Sequence, residues 1–301
     1  MTLVLVAALS VLAGGSGAGA ATQYPVSYHF LSSAILAGAD LDKDPPGANI
    51  WTCKPSAVHP IPVVLVHGTF GNKNTNWRTY APLLANNGYC VYSLTYGTIP
   101  GAPIPISLLG GFEKLESSAV QLQAFVNKVL AATGAKKVDV LGHSQGTVLP
   151  EYYAKFLGGA SKIDKYISLA SLWNGTNVGG LSAQTAFEAV FGFLPSDLIA
   201  PSLSEMATGS PFMTKLRAGG LKLPGITYTN IVTKDDELVR PYTSGIVPGM
   251  TNIVVQNQCK LDFTEHFEIA ADPVASVDVL NALDPAHPRA VPCRLVLPFE
   301  G

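Results

Sequence analysis

The first residue of this sequence that could do chemistry is a serine between glycines. Gly142-His143-Ser144-Gln145-Gly146 fits the pattern G-x-S-x-G. The bare pattern is a weak signal. Its setting strengthens it, because it follows an apolar run, Lys137 to Leu141, and opens a stretch with helical spacing. A strand that turns sharply into a helix at a serine holds the hydroxyl above the sheet, and the flanking glycines let strand and helix approach. The start of the helix adds positive potential where negative charge would develop. The chemistry implied is attack by Ser144 on an acyl carbon.

A hydroxyl needs a base to take its proton, and the base needs an acid to orient it. After an elbow of this kind the acid comes next in the chain and the histidine last. Two histidines follow Ser144. His287 sits in a proline-bracketed turn near the tail. His266 sits between a strand and the last helix, where a loop can carry an imidazole over the sheet, so His266 is the candidate base. The acid should stand just beyond a strand, and the run 226–233 ends in Lys234-Asp235-Asp236-Glu237. One of these three carboxylates is the candidate, and the other two are expected to form a solvated turn. An oxyanion needs two N–H donors. Gln145, the residue after the nucleophile, supplies one. The loop Val66-His67-Gly68-Thr69-Phe70-Gly71 supplies the other, with the Thr69 N–H preferred.

Elements must hold these residues in place. The β-branched run 61–66 reads as a buried strand, 76–85 as a helix, 89–96 as a strand and 97–111, with its prolines, as a loop. A helix is predicted over 116–133 with Gly134 past its end, then a strand at 137–141 and a helix at 147–157. Further strands are expected at 166–170, 226–233 and 252–256. Asp272-Pro273 starts a last helix through Leu283, with Asp at the N-cap. Residues 22–60 carry only short patterns, and 175–225 read as irregular and partly helical. Within the latter, 181–217 is a candidate cap over the site, carrying Phe187, Val190, Phe191, Phe193, Leu194 and Leu198. Strands alternating with helices predict a mostly parallel central sheet with helices on both faces, an α/β fold.

Composition bounds the rest. The chain has 301 residues, of which 48% are hydrophobic and 13% charged, so it can bury a large core. A net charge of −2 without a basic tract gives no support to nucleic-acid binding. No spacing of the six histidines suits a metal, and neither a metal nor a cofactor is expected. Residues 1–21 read as a signal peptide, with a short apolar run from Leu3 to Leu12 and Ala18-Gly19-Ala20 as a cleavage site. A single mature domain over 22–301, secreted, monomeric and without a membrane-spanning segment, is the expectation. Four cysteines in an exported chain suggest two disulfides. Cys53–Cys90 and Cys259–Cys293 are favoured, since each pair closes a moderate loop within one part of the chain.

At these residues the sequence resembles the secreted triacylglycerol lipases of the class 2 type, within the α/β-hydrolase superfamily. The matching segments are Cys53-Lys54-Pro55-Ser56, Pro62 to Asn76, Gly88-Tyr89-Cys90, the elbow, Tyr228 to Ser244, and Glu265-His266 followed by Asp272-Pro273-Val274-Ala275. The resemblance implies an ester hydrolase without cofactor, with ester or lipid as partner and Ser144, Asp236 and His266 as its triad. Position also favours Asp236, which lies nearer the apolar Leu238-Val239, whereas Asp235 follows Lys234 and should stay in solvent. A cutinase, polyester hydrolase or short-chain carboxylesterase would use the same triad. A non-catalytic surface protein on a hydrolase scaffold would have lost part of it.

Overall fold

The computed structural model describes residues 23–178, 181–182 and 201–299. Six parallel strands make the central sheet: β1 (Val63–Val66), β2 (Val91–Leu94), β3 (Val138–His143), β4 (Ile163–Leu169), β7 (Thr227–Val232) and β8 (Thr251–Val254). Their order is β2-β1-β3-β4-β7-β8. Two short segments, β5 (Asn177–Val178) and β6 (Leu181–Ser182), pair antiparallel beside it.

Alternation along β1 decides how the two cores form. Val64 and Val66 point into one core, with Leu122, Val126 and Val129 of α3 (Leu115–Thr133) and Leu149 and Tyr153 of α4 (Leu149–Phe156). Val63 and Leu65 point into the other, with Trp77, Tyr80 and Leu84 on or just before α2 (Tyr80–Asn86) and Val274 and Val279 of α8 (Pro273–Leu283). A strand buried on both faces reads as a continuous apolar run, which is why β1 stands out in the sequence. Asp272 caps α8 as its spacing predicts, accepting from the Val274 and Ala275 N–H groups at 2.8 and 3.0 Å. Two disulfides join Cys53 to Cys90 and Cys259 to Cys293. No helix of the described residues is long and apolar enough to cross a membrane.

Three elements depart from expectation. Helix α1 (Phe30–Ala37) lies in the stretch read as having only short patterns. Strand β4 begins at Ile163, three residues before the predicted start. Strand β8 gives way at Val255 to a short helix, α7 (Val255–Gln258). The part of the candidate cap that carries its six apolar residues, 183–200, lies outside the described residues. Its last part folds as α5 (Pro201–Glu205) and α6 (Pro211–Arg217), and Phe212, Met213 and Leu216 pack inward against the α3–α4 core.

The strand order sets where a site can be. From β1 the chain steps one way to β2, then crosses back to lay β3 on the other side of β1. Loops that leave the carboxyl ends of β1 and β3 therefore diverge and leave a crevice between them, the place where α/β sheets bind ligands.

Candidate active site

Both loops at this crevice carry predicted residues. Ser144 follows β3 directly and has φ +54°, a left-handed conformation that costs a side-chain-bearing residue energy. Tight packing holds it there. A Cβ on Gly142 would run into the carbonyl oxygen of Gly146, and one on Gly146 into that of Val66. Only glycine lets the elbow close against itself and against β1.

The imidazole arrives from the loop before α8. His266 Nε2 lies 2.9 Å from Ser144 Oγ, and Nδ1 lies 3.0 and 3.1 Å from the two oxygens of Asp236. His266 and Asp236 are each about 3% exposed, so this pairing is sheltered from water. Asp236 is fixed from its other side, where Oδ1 accepts from the Leu238 N–H at 3.0 Å and the Val239 N–H at 2.6 Å. Burial opposes a charge on the His266 ring. The Asp236 carboxylate, aided by Glu237 and Glu265, outweighs burial and raises the imidazole to about 9.

Among the three candidate acids, Asp236 alone turns inward to the ring. Asp235 is exposed, as expected. Glu237 corrects the expectation of a solvated turn: its Oε2 accepts from the backbone N–H of His266 at 3.1 Å, and its Oε1 is buried. The other histidine, His287, is 76% exposed and pairs with Asp284 at the surface.

The loop after β1 runs beside the elbow. Gly68 sits so near Ser144 that a Cβ there would lie 3.1 Å from the serine Cβ. Among the described residues the Thr69 N–H makes no backbone or side-chain hydrogen bond, and Gln145 stands in the first turn of a short helix, where N–H groups lack an intrahelical acceptor. The Gln145 side chain is fully buried, within hydrogen-bond distance of Tyr96 Oη at 2.9 Å and donating to the Gly111 carbonyl at 3.1 Å. Ser202 of α5 donates to that same carbonyl at 2.6 Å, so the cap segment is tied to the loop after β2.

Four further residues brace the site, and sequence reasoning gave none of them a role. Asn76 Oδ1 accepts from the Gly68 N–H at 3.1 Å. His143 Nε2 lies 2.8 Å from the His266 carbonyl oxygen, and Nδ1 lies 3.2 Å from Asn76 Oδ1. Burial lowers His143 to about 3, so the ring is neutral and Nε2–H faces the carbonyl. His67, lowered to about 4 by burial, donates from Nδ1 to Gly68 O at 2.7 Å and accepts from the Tyr96 N–H at 3.2 Å. Tyr96 stacks on the His67 ring at 4.2 Å. For His67, Asn76 and His143 the sequence signal is nearness to the two motifs; Tyr96 has none.

Above Ser144 opens a cavity of about 410 Å³. Its lining is mostly apolar, with Phe30 and Leu31 of α1, Leu203 and Met206 from the cap segment, and Leu238 and Phe267 from the two loops that carry Asp236 and His266. No cluster of His, Cys, Asp or Glu suited to a metal occurs among the described residues.

Residues 60–277 match the family described as lipase (class 2). A triacylglycerol lipase of Pseudarthrobacter phenanthrenivorans is 28% identical over 201 residues, which is 58% of this chain and 59% of that protein. A triacylglycerol lipase of Vibrio cholerae is 31% identical over 165 residues, 54% of this chain and 46% of that protein. The chain thus spans about half the length of the curated relatives it matches. Among solved structures, Aspergillus fumigatus lipase B is similar with a TM-score of 0.61 and 21% identity, over 83% of this chain and 56% of that one. A Bacillus licheniformis lipase in its mature form gives 0.57 and 15%, over 76% and 94%. At such identities the likeness shows the fold alone, that of the α/β hydrolases. The family match runs from before β1 into α8 and so takes in the whole parallel sheet and the loops bearing Ser144, Asp236 and His266: the chain belongs to the class 2 lipase family.

Proposed function

We propose that this chain hydrolyses carboxylic esters, with triacylglycerols as the substrate class, through an acyl-enzyme on Ser144. One observation carries the reading: the 2.9 Å contact between Ser144 Oγ and His266 Nε2 at the floor of an apolar cavity. His266 takes the serine proton on Nε2 as Oγ adds to the ester carbonyl carbon. The negative charge that builds on the carbonyl oxygen meets the N–H groups of Thr69 and Gln145. Asp236 orients the imidazole and stabilises it once charged. His266 then gives its proton to the departing alkoxide, and the alcohol leaves. A water molecule, deprotonated by His266, adds to the acyl carbon and releases the acid, and Ser144 regains its proton.

Apolar lining favours a substrate with a hydrocarbon acyl chain, since burying such a chain is favourable by about 25 cal/mol per Å². The relatives from Pseudarthrobacter phenanthrenivorans and Vibrio cholerae, both triacylglycerol lipases, support the same class. Two disulfides suit an oxidising compartment, so we infer that the protein is exported and works outside the cell. Hydrolysis rates on p-nitrophenyl esters of graded length and on a triglyceride emulsion test the reading. Turnover of long esters and of the emulsion is expected. Turnover confined to the shortest esters would make the protein a carboxylesterase, and no turnover of any ester would remove the proposal.

A further inference from the structure

Asp236 and Glu237 are adjacent, yet both carboxylates reach the same residue. Asp236 meets the His266 ring at Nδ1, and Glu237 Oε2 accepts from the His266 main-chain N–H at 3.1 Å. The second oxygen of Glu237, Oε1, is buried with no hydrogen-bond partner among the described residues. A buried carboxylate oxygen without a partner is costly to keep and is rarely retained for packing alone. It leaves negative charge close to the imidazole in a site that water screens poorly. We propose that Glu237 is the second carboxylate of the site, a positioning residue that fixes the His266 backbone and whose charge steadies the imidazolium formed during turnover. The inference rests on the reading of His266 as the base.

The other groups that face His266 play different parts. Glu265, on its own loop, has both oxygens engaged by the Phe267 and Glu268 N–H groups at 2.7 and 2.8 Å, and burial pushes its carboxyl up to about 7. His143, its ring 5.1 Å away, stays neutral. Asp236 is committed to the ring and to two backbone N–H groups. Glu237 therefore couples the main chain of the base to a charge with no other engagement. Through it, the turn after β7 grips His266 twice.

The substitution Glu237→Gln keeps the shape and an accepting oxygen but removes the charge. Glu237→Ala removes both. In E237Q the acid limb of kcat/KM against pH should move down by about one pH unit, because losing a nearby negative charge frees the base at lower pH. The plateau kcat should fall less than about tenfold, and in E237A by about ten- to a hundredfold with KM little changed, as expected when a catalytic group is misplaced. Asp235→Asn, next door but exposed, should leave the limb in place. Proton NMR titration of the His266 ring in wild type and E237Q gives the same reading without turnover, so it holds whether or not the protein proves to be an esterase. If E237A does not fold, E237Q decides alone. A limb and a ring titration unmoved in E237Q, or moved as far by D235N, would overturn the inference.

Discussion

His143 Nε2 faces the carbonyl oxygen of His266 across 2.8 Å, so the residue before Ser144 holds the main chain at His266. The elbow and the histidine loop, 123 residues apart, are thereby one rigid unit. Replacing His143 by Phe keeps the bulk and removes the donor. We expect kcat to fall about ten- to a hundredfold with KM nearly unchanged, since small misplacements of a catalytic group are costly. Steady-state kinetics on one soluble ester checks this, and an unaltered kcat would mean that the contact does not position the base.

Asp236 and Asp235 should differ sharply although they are neighbours. Asp236→Asn loses the charge that orients and stabilises the imidazole, and kcat should drop by about 10⁴, as in the template triad. Asp235 is exposed, and Asp235→Asn should change the rate by less than about tenfold. Purified single variants assayed side by side decide the matter, and the reverse ranking would overturn the assignment of the acid.

Gly146→Ala tests the elbow as a packed object. The added methyl has backbone, not a flexible side chain, in its way at Val66. Overpacking of this kind costs about 1–3 kcal/mol or more. We expect a lower denaturation midpoint together with loss of activity. A variant as stable and active as wild type would show that the elbow has room to relax.

Activity and stability should respond to pH in opposite directions. Burial raises Asp139 to about 7 and Glu151, Glu268 and Asp272 to about 8. The folded chain thus holds these protons while the unfolded chain has released them. Their contribution to stability is fully present below the ordinary carboxyl range, near pH 4, and is lost as pH rises toward about 8. His266 adds to the trend, because its raised value makes the folded form bind a proton that the unfolded form loses first. Catalysis needs the neutral imidazole, so kcat/KM should climb toward about pH 9. Melting curves and kcat/KM from pH 5.5 to 8.5 should show Tm falling while activity rises. Glu151→Gln should flatten the Tm slope. A Tm that rises over this range would contradict the assignment of protonated buried acids.

How much the sequence discloses follows from where each signal lies. Strands β1 and β3 are buried on both faces; β1 reads as an unbroken apolar run, β3 as one broken by Asp139, and the segments after them carry Thr69 and Ser144. Helix α1 escapes because FLSSAILA is apolar nearly all round and shows no face. The start of β4 escapes because Asp164 and Lys165 look like a turn, whereas in the fold Lys165 lies 3.8 Å from the buried Asp139. Loop position narrows the acid to three neighbours, and nearness to the apolar Leu238-Val239 together with the family resemblance favours Asp236 among them. Which of them turns inward depends on His266, 30 residues further on, and on the Leu238 and Val239 N–H groups that hold Asp236. The grip of Glu237 on the His266 backbone has no local signal at all.

Ser144, activated by His266, is the proposed nucleophile. Covalent labelling by an organophosphonate, followed by intact-mass analysis and peptide mapping, tests it most directly. One equivalent of probe is expected on Ser144 in the wild type and none in a folded Ser144→Ala variant, with labelling greatly slowed in a His266→Ala variant. A Ser144→Ala protein that still takes up one equivalent would place the nucleophile elsewhere and contradict the account.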